Sequence, residues 1–141
     1  MLRPAAVLFA LAAVAARADD WPRTPSPEGA TAYIVQPADG ETVSSPVTVV
    51  FGARGIGIAP AGVEWDATGH HHLLINREIT EAMMTESLPA EDDLRHFGGG
   101  QTEVTLELPP GEHRLQLLMG DHNHIPHDPP VYSAPVTIVV E

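Results

Sequence analysis

The sequence predicts an all-β fold, an immunoglobulin-like antiparallel β-sandwich of about seven strands. Two observations carry that expectation. Short runs of alternating or continuous apolar residues recur along the chain, and clusters of Gly and Pro punctuate them at intervals of roughly 8–12 residues. A half-buried strand needs a side-chain period of two, and tight reversals need residues with unusual backbone freedom or a fixed φ.

The first strand is expected over residues 32–36, and the turn Pro37-Ala38-Asp39-Gly40 ends it. Residues 46–53 place Val47, Val49 and Phe51 on one face, the alternation of a half-buried strand. Residues 55–69 contain four glycines and a proline and read as loop. A strand follows over 70–76, whose continuous Leu73-Leu74-Ile75 predicts a central position buried on both faces. Residues 78–93 are acidic and weakly patterned, with one helical turn expected around 79–84. They would hold the least distinct strand, and the stretch 86–93 reads as a solvated loop. Gly98-Gly99-Gly100 breaks the chain before 102–108, where Val104, Leu106 and Leu108 alternate with Glu103, Thr105 and Glu107. Pro109-Pro110-Gly111 turns into a strand over 113–119, and residues 135–140 close the domain.

Residues 1–18 read as a secretory signal peptide: Arg3 gives a basic start, 4–15 is apolar, and Ala16-Arg17-Ala18 fits a cleavage site. The apolar run is shorter than the roughly 20 residues a bilayer span requires, so no membrane span is expected. Residues 19–31, rich in Pro, Ser and Gly, read as a flexible N-terminal lead, and 32–141 as one domain. The expected location is periplasmic or secreted. Net charge is −12, with no lysine and scattered arginines. That balance disfavours nucleic acid and anionic membrane surfaces, both of which want a basic face. There is no cysteine, so a thiolate nucleophile, a blue-copper centre and a Cys-zinc knuckle are excluded.

Seven of the eight histidines stand in three groups: His70-His71-His72, His96, and His122, His124 and His127. In an immunoglobulin-type order, the strands carrying the first and third groups are neighbours. His96 falls at the same end, and His113 at the opposite one. His70 and His72 share a strand face, with Cα atoms about 6.6 Å apart. Two imidazoles can close that span on one ion at about 2.0–2.1 Å. His122 and His124 repeat the spacing, so two facing His-x-His pairs are expected to form a site of three or four nitrogens. The candidate ligands are His70, His72, His96, His122, His124 and His127. Such a site suits copper, zinc or nickel, copper binding more tightly than zinc. His71 is expected to point the other way, and His113 to bond back to its turn. Met83, Met84 and Met119 could serve Cu(I) but are more often core filler.

The alternative weighed beside the metal is a periplasmic module for a protein or glycan partner, in which the histidines only hydrogen-bond one another, Asp121, Asp128 and the backbone. A metalloenzyme stands third. No nucleophile elbow, phosphate-binding loop or zincin helix is present.

Two strings, Pro-x-Asp-Gly-x-x-Val-x-x-Pro-Val at 37–47 and Pro-Gly-x-His-x-Leu-x-Leu at 110–117, resemble bacterial immunoglobulin-like domains. Four longer ones resemble the bacterial "domain of unknown function 4399" family. They are Gly-His-His-His-Leu-Leu-Ile (69–75), His-Phe-Gly-Gly-Gly-Gln-Thr-Glu (96–103), Leu-Pro-Pro-Gly-Glu-His (108–113) and Gly-Asp-His-Asn-His-Ile-Pro-His-Asp-Pro-Pro (120–130). The likeness runs from about residue 33 onward. It implies an exported bacterial domain and brings no catalytic residues with it.

Overall fold

The computed structural model describes residues 22–141; the expected signal peptide and cleavage site lie outside the described residues. Among the described residues nine strands form two sheets: β1 (Thr31–Gln36), β2 (Thr42–Val43), β3 (Val47–Arg54), β4 (Gly57–Ile58), β5 (Thr68–Ile75), β6 (Leu94–His96), β7 (Glu103–Leu106), β8 (Gly111–Gly120) and β9 (Val136–Val140). One sheet has the order β1-β3-β7. The other runs β2-β9-β8-β5-β4, with β6 paired to β5 beyond β4 on the same edge.

The pairing is antiparallel except at two short places. The two-residue strands β2 and β4 run parallel to β9 and β5, so the larger sheet is mixed rather than purely antiparallel as expected. Neither parallel pair needs a crossover helix. After the turn at 37–40 the chain leaves the first sheet and touches the edge of the second. Residues 57–58, expected as loop, do the same beside the start of β5.

The two sheets share one core. Val47, Val49 and Phe51 of β3 and Leu106 of β7 meet Leu73 and Ile75 of β5, Leu115, Leu117 and Met119 of β8, and Ile138 and Val140 of β9. Burying each such side chain is worth about 1.5–3 kcal/mol. The alternation read from 46–53 is therefore the inward face of β3, and Met119 is core.

The opposite face of the larger sheet is also covered, which explains why every residue from His70 to Ile75 is buried. Leu74, Leu94 and Leu118 pack there under Met83 and Leu88. Met83 lies in a short 3-10 turn, Glu81–Thr85, close to the helical turn expected. The acidic stretch after it is only partly a solvated loop. Leu88 and Leu94 anchor it, while Glu86, Glu91, Asp92 and Asp93 remain exposed. Along β5 the odd-numbered His71, Leu73 and Ile75 face the main core and the even-numbered His70, His72 and Leu74 face this second layer. His71 accordingly stacks edge-on against Phe51 at 4.9 Å.

The described part of the N-terminal lead is tied down. Ser26 N donates to Asp128 O at 3.1 Å, and Asp128 N to Thr24 O at 3.0 Å. Arg23 donates to the carbonyls of Pro126 and His127. These bonds hold residues 23–26 across the segment that carries the third histidine group.

Candidate metal centre

His70 and His72 rise from β5 on the face away from the main core, both with no solvent exposure. Across the ladder, β6 sets His96 directly opposite His72, and the two rings meet edge to face at 4.4 Å. On the other side, β8 sets Gly120 opposite His70. A Cβ on Gly120 would stand 2.6 Å from Cε1 of His72, so the missing side chain is what leaves room for the ring.

The third member arrives by a route the spacing does not suggest. His122 and His124 do not extend β8, which ends at Gly120. Asp121 turns the chain instead, and its buried carboxylate has every bond within this turn and the lead. Oδ1 accepts from the N–H of Asn123 at 2.8 Å and of Ile125 at 3.0 Å, and Oδ2 from Thr24 Oγ1 at 2.7 Å. His124 sits in this turn at φ 63°, a left-handed conformation that costs a non-glycine residue energy and recurs at functional sites. Two clamps fix it from the covering layer: Leu88 N donates to His124 O at 2.9 Å, and Ser87 Oγ to Asn123 O at 2.8 Å.

The result is a triad. His124 Nδ1 lies 2.9 Å from His70 Nε2 and 3.2 Å from His72 Nε2, and one nitrogen from each of the three rings falls within 4.8 Å of the others. A ring nitrogen has a single in-plane position, for a proton or a lone pair, so His124 Nδ1 can make one good hydrogen bond and not two. Protons therefore cannot satisfy both contacts well. A metal can: at 2.0–2.1 Å from each nitrogen, a tetrahedral ion sets its ligands about 3.3 Å apart.

Electrostatics keeps the triad in ligand form. Burial lowers His70 to about 4, with the neighbouring imidazoles His124 and His96 pushing the same way. Burial and the same mutual repulsion hold His72 well below the ordinary histidine value, and His124 is lowered for like reasons. All three are neutral near pH 7, which is the state that binds metal.

The other candidates lie around the triad rather than in it. His96 packs against His124 at 4.6 Å as well as His72, and its Nε2 donates to Pro89 O at 2.9 Å. In the neutral ring that leaves Nδ1 bare, the kind of carbonyl contact that fixes a tautomer for ligation. His122 turns toward solvent: Nε2 accepts from Asn123 Nδ2 at 2.9 Å and stands 3.9 Å from Glu64. His127 is buried and donates from Nε2 to Thr68 O at 2.9 Å. It bears on the strand that presents His70, through Gly69, whose absent Cβ would meet its ring at 2.6 Å. His113 bonds back to its turn through Pro109 O at 2.7 Å and takes a bond from Asn76 Nδ2 at 2.9 Å. The expected pair of facing His-x-His strands is thus one strand pair plus one turn residue. The Gly120-Asp121 dipeptide was the available signal for that turn.

A family model described as "Domain of unknown function (DUF4399)" matches residues 49–141. The chain belongs to that family. The matched span of this domain-of-unknown-function-4399 member holds all eight histidines, including the triad and its cover. No curated protein and no solved structure matches it.

Proposed function

We propose that this chain is an exported domain that binds one divalent transition metal, copper or zinc, at His70, His72 and His124, with His96 beside them, and that its role is metal handling or metal-stabilised scaffolding rather than catalysis. One observation carries the reading: two buried imidazoles and one half-buried one, all neutral, converge with nitrogens 2.9 and 3.2 Å apart, a spacing that suits a shared ion better than shared protons. His122 and His127 support the site by holding its loop and strand. An immunoglobulin-like sandwich is the fold we assign. The facing of β1-β3-β7 and β9-β8-β5 over one core supports it. Export to the periplasm rests on the sequence of residues 1–18.

A protein or glycan interaction module is the second reading. Its support is an exposed apolar tip between β4 and β5, where Trp65 is 72% and Val63 42% accessible.

A substitution series separates the two. Binding to the folded state stabilises it, so Cu(II) or Zn(II) should raise Tm. Replacing His70, His72 or His124 by Ala should abolish the rise. Trp65→Ala should leave it intact. A rise that survives all three histidine substitutions would remove the triad from the reading.

A further inference from the structure

Charge balance at the triad makes a demand of its own. Three neutral imidazoles leave a bound divalent ion with a net charge of +2, and among the described residues no carboxylate joins the group. Asp121 is the nearest acidic influence on the cluster. Its oxygens accept from Thr24, Asn123 and Ile125, bonds that hold it in the turn, and it is not among the groups that converge. Leaving a double charge uncompensated in a buried setting is costly. Beyond the field of Asp121, a negative charge in direct contact with the ion would come from outside the described residues.

A candidate route lies beside the site. A cleft of about 800 Å³ lies between Ala61-Gly62, Thr85-Glu86-Ser87 and residues 122–125. His124 alone of the triad lines it, while His70 and His72 are sealed beneath. The histidine that completes the triad is therefore also part of the cleft wall. Asn123 and Ser87 add polar groups there, although Ser87 Oγ is engaged with the Asn123 carbonyl. Glu86 and the acidic surface as a whole work against anions gathering in the cleft. Attraction must come from the ion itself, which favours a ligand small enough to touch it.

Resting on the metal reading above, we propose that the ion keeps a fourth coordination position open to this cleft and takes a small monoanion there. Hydroxide, formed when a bound water releases its proton to solvent, or a halide or pseudohalide taken up as such, would lower the site's charge from +2 to +1. The competing occupant is the bare Nδ1 of His96, which would close the site as four histidines.

The test uses untagged mature protein and azide as the probe. Metal stoichiometry is measured first, with one equivalent of Cu(II). If no ion binds at the triad, the metal reading itself fails. With one ion bound, azide is titrated and the ligand-to-metal charge-transfer band followed. The expected result is a single band saturating at one azide per copper. Thr85→Trp, which narrows the cleft outside the metal ligands, should keep the copper stoichiometry and weaken azide at least tenfold. Full copper loading with no azide band overturns the proposal. An azide band seen only after His96→Ala also overturns it, and shows His96 as the fourth ligand. Loading by Cu(I) alone, which needs no anion, overturns it too.

Discussion

Gly120→Ala tests how tightly the fold positions the triad. The added Cβ would stand 2.6 Å from His72 Cε1 and 3.2 Å from both Cα and C of His124. Non-bonded carbons settle about 3.5–4.0 Å apart, so the His72 ring must retreat by about 1 Å. It has no free space to enter, being fully buried between β6 and β8. Overpacking of this kind costs about 1–3 kcal/mol, and urea unfolding of the metal-free variant should show that loss. The metal effect should be larger in consequence. Metal–nitrogen distances tolerate only about 0.2 Å, and disturbing the groups that orient a ligand costs about 10–100-fold in affinity. Competition against a chelator of known affinity measures this directly. A folded Gly120→Ala protein with unchanged affinity would refute the claim that the gap at Gly120 sets the ring's position.

Acid sensitivity follows from the buried imidazoles. His71, lowered by burial to about 4, refuses a proton that the unfolded chain accepts at its ordinary 6.5. Between those values the unfolded state binds more protons, so metal-free stability is full above pH 6.5 and declines as pH falls toward 4. His71 alone contributes on the order of 3 kcal/mol across that window; urea midpoints at pH 7.5 and 5 that coincide would contradict it. Asp121→Ala removes three hydrogen bonds at a buried turn. It should cost on the order of 2–3 kcal/mol and weaken metal binding by releasing His124, as thermal melts with and without Zn(II) would register. His113→Ala should lower baseline stability by about 1–3 kcal/mol, since Asn76 and Pro109 lose a buried partner. It should leave the metal-induced rise in Tm unchanged, and a lost rise would contradict the separation of His113 from the site.

Much of the fold was legible because its signals are local. The alternation in 46–53 and 102–108 and the unbroken apolar run after His72 report which faces are buried, and the Gly/Pro turns report where strands stop. The two-residue strands β2 and β4 were not legible, since a pairing that short leaves no periodic trace. The site divides the same way. His70 and His72 sharing a face follows from strand geometry alone. His96 lying opposite His72 depends on a three-residue strand in a weakly patterned segment. His124 reaches the triad only because Asp121 bends the chain at Gly120, so the His-x-His spacing at 122–124 suggested a strand where a turn exists. The second apolar layer was hidden too: Met83 and Leu88 cover the histidines from an acidic stretch whose composition reads as solvated.

The central claim is that the three converging imidazoles hold one metal ion. Calorimetric titration of untagged, metal-free protein with Zn(II) and Cu(II) at pH 7.5, beside the His72→Ala/His124→Ala variant, tests it most directly. One ion per chain bound at micromolar concentration or tighter, lost in the variant, is the predicted result. Absence of binding in the unsubstituted protein, or equal binding in the variant, would contradict the account.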